Sequence, residues 1–371
     1  MRLLFVARAM GGMAGGVERM IVAIMNEMAD RGHEVALLSW DKENAEAFYP
    51  MVSKISWYKV HIGDASRKAG LLTRLQRIPK IRNSVNNFSP DVIVCFQGGP
   101  FRAMLSYTMG MGIPLVVAER TAPTLYEHAN GRWAKVKEHF IFRFAKLITV
   151  QFDRYRKYYP RALQKLIVET PNPVAEPSDF AAPADTNDQN RYTLLSVGRL
   201  SFQKNFPALL QAFSLIVDRF PNWDLKIVGE GEHRASLQST IDGSPILRGR
   251  VHLAGITKDV TSAYASANLF CLASRWEGFP NALAEALAHG LPAVGYRDCA
   301  GVIDLIDHGK TGMLAEGNGG PEDLAEMLAE LMNQDEVRAE MGKTARAAML
   351  RYRPSMCFAR WEDVLLQATK K

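Results

Sequence analysis

The sequence predicts an α/β protein built from two doubly wound, Rossmann-like domains. Three observations predict it. Apolar runs of strand length alternate with segments of helical spacing along both halves of the chain. A proline-rich stretch with small polar residues, 174–191, interrupts that alternation near the middle and reads as a linker. The length, 371 residues, is more than one core usually fills and suits two domains.

The elements follow in order. Residues 2–8 are apolar and run into a glycine-rich turn by Gly11, too soon for a secretion signal, so they read as a buried first strand. After the loop from Gly11 to Gly16, Val17, Met20, Ile21, Ile24, Met25 and Met28 recur at helical spacing, and Gly32 ends that helix. Strands are expected at 34–40, 91–96, 114–118 and 146–150, with a weaker one at 166–168. They complete a first domain over 1–173. Past the linker, strands are expected at 194–198, 224–228, 251–253, 269–272 and 292–296. Helices lie between them at 207–219, 232–242, 259–265 and 282–288. The tail is helical at 321–332 and 335–352, giving a second domain over 192–352. Residues 353–371 form a last helix, with Phe358, Trp361, Val364 and Leu365 on one stripe. Two such domains predict a central cleft between facing sheets, with ligands at the carboxyl ends of the strands.

Apolar residues make up 47% and charged residues 23%, a globular balance. No run approaches 18 uninterrupted apolar residues, so no membrane span is expected. Cys95, Cys271, Cys299 and Cys357 have no metal-type spacing and read as buried, reduced thiols. These features place the chain on the cytoplasmic side. The net charge of +6 conceals an asymmetry: up to Thr170 there are 25 Lys and Arg against 14 Asp and Glu, and beyond it 20 against 25. A basic half suits an anionic substrate, an acidic membrane surface or nucleic acid. Arg67, Lys68, Arg74, Arg77, Lys80 and Arg82 alternate with Leu71, Leu72, Leu75, Ile78 and Ile81. Residues 132–165 add a second cationic stretch with Tyr155, Tyr158 and Tyr159. Such stretches either rest on an anionic membrane as a peripheral contact or pack as solvated helix faces. No recognition motif accompanies the charge, so nucleic acid is not expected as a partner.

The sharpest chemistry lies between Ser274 and Pro292. Gly278, Phe279, Pro280 and Asn281 make a tight turn after a strand and open a helix, whose first N–H groups and dipole form an anion site. Glu277 precedes the turn and Glu285 lies about one turn into the helix, so both carboxylates can accept hydrogen bonds from hydroxyl groups. Arg199 and Lys204 follow the first strand of the second domain. Two fixed cations can neutralise a departing diphosphate, a task often given to a divalent ion on an Asp-x-Asp pair, which this sequence lacks. Gly229 and Gly231 end one strand, where glycine permits close backbone approach, and Ile256 follows another. Gly15 and Gly16 open the first helix. They do not complete a dinucleotide fingerprint, because the pattern begun at Gly11 would need glycine where Met13 stands.

The two glutamates separated by seven residues, with the Arg199 and Lys204 loop before them, resemble the retaining glycosyltransferases of family 4, which have the GT-B fold. The resemblance spans nearly the whole chain and is strongest from Leu194 to Leu314. Among these it resembles the bacterial enzymes of cell-surface polysaccharide and glycolipid assembly. It implies that a nucleotide sugar, a UDP-sugar by family habit, is the donor and that no metal or other cofactor is required. It assigns Glu277 to the donor sugar, Glu285 to the ribose, Arg199 and Lys204 to the diphosphate, and Ile256 to the surroundings of the base. It sets Gly15 and Gly16 against the donor phosphates and the acceptor, and sends the last helix back to the first domain. The implied acceptor is a glycan or a lipid-linked glycan. One departure stands out: where many relatives carry histidine facing the reacting sugar, this chain has Arg120, a permanent cation that cannot act as a base. Arg120 is expected to bind a phosphate or to form a structural ion pair. A Rossmann-type oxidoreductase or epimerase, or a non-catalytic sugar-nucleotide binder, are the rival expectations.

Overall fold

A computed structural model describes residues 1–13, 15–65, 67, 69–125, 131–257, 259–317 and 319–370. The chain divides into two compact units: residues 1–172 together with 355–371, and residues 173–354.

In the first unit, β1 (Arg2–Ala7), α1 (Gly16–Asp30), β2 (Glu34–Ser39), β3 (Ser56–Lys59), α2 (Leu71–Phe88) and β4 (Val92–Phe96) come first. Then follow α3 (Gly98–Tyr107), β5 (Leu115–Ala118), α4 (Gly131–Phe142), β6 (Leu147–Val150), α5 (Arg161–Gln164) and β7 (Ile167–Glu169). The seven strands form one parallel sheet in the order β3-β2-β1-β4-β5-β6-β7. Its central strands are buried on both faces, which is why they read as continuous apolar runs. Strand β3 was not expected. It is a half-exposed edge strand, Ser-Trp-Tyr-Lys, paired only to β2, and it carries no apolar run to announce it. The outward ladder is steadied by Trp57, whose Nε1 donates to Ser39 Oγ at 2.8 Å.

In the second unit, β8 (Tyr192–Val197), α6 (Phe206–Ser214), β9 (Trp223–Val228), α7 (Arg234–Gly243), β10 (Val251–Gly255) and α8 (Val260–Ala265) lead. They are followed by β11 (Leu269–Leu272), α9 (Asn281–Ala288), β12 (Ala293–Tyr296), α10 (Val302–Leu305) and β13 (Gly312–Ala315), then α11 (Pro321–Met332) and α12 (Asp335–Met349). Its parallel sheet runs β10-β9-β8-β11-β12-β13, with β13 added to the five expected strands. Asp259 is not the first helical residue but the cap of α8, its carboxylate accepting from Ser262 N at 2.9 Å.

The proline-rich run is irregular, yet it is tied to the second unit rather than left free. Ala181 N donates to the His289 carbonyl, Asn268 Nδ2 to the Asp185 carbonyl at 2.6 Å, and Arg338 Nε to the Pro183 carbonyl at 2.9 Å. The guanidinium of Arg338 is fully buried, held also by Leu331 O and Asp335 and lying within 4.9 Å of the Tyr192 and Trp223 rings.

The last helix, α13 (Pro354–Thr369), belongs to the first unit, where Phe358, Trp361, Val364 and Leu365 join the core. Trp361 lies 6.1 Å from Phe96, and Glu362 accepts from Arg31 at 2.7 Å and pairs with His33 at 2.9 Å. The Arg31 and His33 contacts hold the Glu362 carboxyl below its usual range. All four cysteines are free and buried.

Candidate active site

In an open parallel sheet the strand order reverses at one place, and the loops leaving the two strands there diverge to leave a crevice. In the second unit this place lies between β8 and β11. The loop after β8 carries Arg199 and Lys204, and the loop after β11 carries Glu277, so topology alone brings them together.

Side-chain contacts then lock the two loops. Lys204 Nζ lies 2.6 Å from Glu277 Oε1, with the two side chains only 18% and 7% exposed. Gln203 Nε2 donates to the Trp276 carbonyl at 2.8 Å, Arg275 N donates to the Gln203 carbonyl at 2.9 Å, and Arg275 Nη2 donates to Asn205 Oδ1 at 2.8 Å. The Arg275 guanidinium also lies 4.6 Å from the centre of the Phe202 ring. Asn205 ends the first loop in the left-handed region, φ 52°, which asparagine tolerates better than most residues. Gln203, Asn205, Arg275 and Trp276 were not singled out from sequence. Their partners lie about 70 positions away, and no periodicity encodes such a pairing.

Lys204 and Glu277 thus neutralise each other at the base of the site, while Arg199 stays mostly exposed, its guanidinium 3.2 Å from Glu232. Phe279 is buried against Tyr352, ring centres 5.6 Å apart, and Pro280 caps α9, which begins at Asn281 without a side-chain cap. Gly278 precedes them in the same turn. Glu285 stands on α9, where the Tyr264 hydroxyl donates to its Oε2 at 3.1 Å. Tyr264 in turn lies 4.9 Å from the His289 ring, and His289 Nδ1 is 2.7 Å from the Glu285 carbonyl oxygen.

The glycines after β9 are packed closely against backbone. A Cβ on Gly229 would meet the Gly198 carbonyl oxygen at 1.9 Å, and one on Gly231 would meet the Leu200 carbonyl oxygen at 2.4 Å. Gly229, at φ 146°, therefore lets the loop after β9 lie directly on the loop that bears Arg199. Ile256 follows β10 and is exposed.

The remaining expected residues belong to the first unit. Gly15 and Gly16 open α1, and a Cβ on Gly15 would sit 2.1 Å from the Glu18 carboxylate, so glycine there leaves room for an acidic group at the helix start. Arg120, expected to bind a phosphate or to form a structural ion pair, follows β5 in the first unit. Its side chain is buried, and the guanidinium donates to the Thr170 carbonyl at 2.6 Å and to the Thr149 and Thr170 hydroxyls, while lying 4.8 Å from the Trp361 ring centre. Burial brings it down to about 9. Arg120 joins the ends of β5, β6 and β7 to α13. Glu119, one residue earlier, is buried beside Glu138. Burial, followed by that neighbouring charge, pushes its carboxyl up to about 8, against the opposing pull of Arg120 and the Gly98 N–H. Among the described residues, no group of three or more His, Cys, Asp or Glu side chains is arranged to hold a metal ion.

Two parallel-sheet α/β units, the second with a cation–carboxylate pair at its strand-order reversal, have the architecture of the GT-B fold. Comparison with known proteins agrees. Residues 179–348 match the family described as glycosyl transferases group 1, and residues 15–164 match the glycosyl transferase 4-like domain. The chain belongs to these glycosyltransferases, which sets aside the oxidoreductase and epimerase alternatives. It is 25% identical over 357 residues to an uncharacterized glycosyltransferase of Haemophilus influenzae, covering 95% of this chain and 97% of that one. It is 23% identical over 358 residues to the amylovoran biosynthesis glycosyltransferase AmsD of Erwinia amylovora, covering 95% and 96%. Among solved structures, Anabaena HepE in complex with UDP and glucose shares the fold, with a TM-score of 0.75 at 18% identity over 99% of each chain.

Proposed function

We propose that this glycosyltransferase moves a hexosyl or N-acetylhexosaminyl unit from a UDP-sugar to a glycan or lipid-linked acceptor, with retention of configuration and without a metal ion. The observation that carries the donor assignment is the Lys204–Glu277 pair at 2.6 Å between the loops that leave β8 and β11. The names of the relatives, one from amylovoran biosynthesis and one solved with UDP and glucose, support a UDP donor and a role in cell-envelope polysaccharide or glycolipid assembly.

The chemistry follows from charge. As the glycosidic bond to the diphosphate breaks, the leaving oxygens gain negative charge and the sugar ring gains positive charge. Lys204, poised on Glu277, and the exposed Arg199 are proposed to meet the leaving diphosphate, supplying electrostatic stabilisation that increases as the bond stretches. Glu277 is proposed to hold hydroxyls of the donor sugar, and Glu285, oriented by Tyr264, the ribose diol. Gly278, Phe279, Pro280 and Asn281 present the start of α9 to the phosphates. We assign no nucleophile. Substitution on one face of the sugar, with the departing phosphate accepting the proton of the acceptor hydroxyl, accounts for retention. The first unit is assigned the acceptor, and its basic surface an anionic inner-membrane face.

The test is UDP release from a panel of UDP-sugars in EDTA, with the anomeric coupling of the product read by NMR. Turnover of one donor with retention, reduced at least a hundredfold in Glu277→Ala, is expected. Release that needs a divalent ion, inversion, or donor binding without turnover would each overturn part of this assignment.

A further inference from the structure

Helix α4 exposes an aromatic stripe. On an ordinary surface helix the apolar stripe faces the core and the polar residues face water. Here Trp133, Val136, Phe140 and Phe144 recur at spacings of three and four along α4 and the turn after it, which places them on one face, and they are between 58% and 79% exposed. The opposite face packs inward and carries Glu138 and His139 beside the buried Phe142. Phe140 and Phe144 meet edge to face with ring centres 6.4 Å apart, and the stripe they share with Trp133 and Val136 forms an outward ridge.

Charge identifies what covers the ridge. Between Gly131 and Lys146 there are five Lys and Arg and one acidic residue, Glu138, which is half-buried on the inner side. Lys137 is exposed within the stripe, and Arg143 and Lys146 are exposed beside it. Protein–protein interfaces are depleted in lysine, whereas aromatic side chains flanked by lysine and arginine suit a bilayer surface, with rings at the acyl boundary and cations among the headgroups. A second exposed apolar cluster, Leu71, Leu72 and Leu75, opens α2 beside Arg74. Helix α3 has contacts with both α2 and α4. Among the described residues, no helix is long and apolar enough to cross a membrane.

We infer that the outward face of α4, led by Trp133, Phe140 and Phe144, is a docking surface for an anionic lipid bilayer, lying in the headgroup region without spanning it. This inference deepens the lipid-linked acceptor assignment above, yet its test is separate. The full chain is sedimented with vesicles of phosphatidylcholine alone or with one-third phosphatidylglycerol, at low and high salt, alongside Trp133→Ser/Phe140→Ser and, as an independent variant, Phe144→Glu. Wild type should pellet with the anionic vesicles at low salt, and each variant should partition at least tenfold more weakly. UDP release in vesicle-free buffer should be unchanged, so loss of catalysis and loss of docking remain distinguishable. Wild type that stays in the supernatant, or variants that pellet like wild type, would overturn the inference. So would light scattering that shows a dimer broken by the double variant without any vesicle binding, which would assign the ridge to a second copy of the chain.

Discussion

Replacing Lys204 by methionine should expose how the two halves of the site depend on each other. At 2.6 Å and an effective dielectric constant of ~20, the gross attraction between Lys204 and Glu277 is about 6 kcal/mol. Desolvating a nearly buried carboxylate and a largely buried ammonium takes back several kcal/mol, so the net coupling is about 1–3 kcal/mol. Lys204→Met leaves the Glu277 charge buried without that cation and should cost about 3 kcal/mol. For a unit of this size that lowers the melting temperature by about 6–12 °C. Glu277→Gln should cost less, because the Lys204 ammonium can turn toward water. The informative protein is the double variant Lys204→Met/Glu277→Gln, which has no buried charge left at this point and should recover at least half of the loss seen in Lys204→Met. Scanning calorimetry of the four proteins measures this on whichever transition the single variants move. Strictly additive losses in the double variant, or a Lys204→Met protein as stable as wild type, would refute the buried-pair account.

Three further outcomes are expected. Tyr264→Phe removes the hydrogen bond that orients Glu285 and should raise the donor KM several-fold while costing about 1 kcal/mol of stability; a fall in kcat at unchanged KM would count against a ribose-binding role. Glu119, whose folded-state carboxyl is raised to about 8 by burial and Glu138, contributes stability that is complete below its unfolded value near 4.5. That contribution is lost as pH rises through about 8. Melting of the first unit should therefore fall across that window and flatten in Glu119→Gln; equal pH slopes for the two proteins would remove Glu119 as the cause. Arg338→Met deletes the buried guanidinium that ties the proline-rich run to α11 and α12, and a loss of about 3–5 kcal/mol in thermal or urea melts is expected; a loss under 1 kcal/mol would show that the tie is not needed.

What could be read from the residues alone divides along physical lines. Strands buried on both faces, such as Val92–Phe96 and Leu269–Leu272, announce themselves as apolar runs, and helices with one core face, such as Gly16–Asp30, as periodic ones. The edge strands Ser56–Lys59 and Gly312–Ala315 carry neither signal. The first is half-exposed, and the second begins with glycine, which leaves only three apolar side chains in its run. At the site, Glu277, Glu285, Arg199 and Lys204 were visible by motif, but the hydrogen bonds of Gln203, Asn205 and Arg275 that join their loops are non-local. Arg120 and Arg77 show the limit for cations. Their partners are non-local: the Arg120 guanidinium donates to the Thr149 and Thr170 hydroxyls, and Arg77 turns inward from its basic stretch to donate to the Ile62 carbonyl at 2.7 Å. Lys68, from the same basic stretch as Arg77, lies outside the described residues. Alternation of basic and apolar residues did not reveal that α4 turns its aromatics outward, because periodicity fixes that two faces differ, not which of them meets the core.

Hydrogen–deuterium exchange of the protein with and without UDP tests the central claim most directly. UDP is expected to slow exchange in the two loops that leave β8 and β11, residues 198–205 and 273–280, and at the start of α9, and Lys204→Met to abolish this protection. Protection confined to other segments, or undiminished in Lys204→Met, would contradict the placement of the donor between those strands.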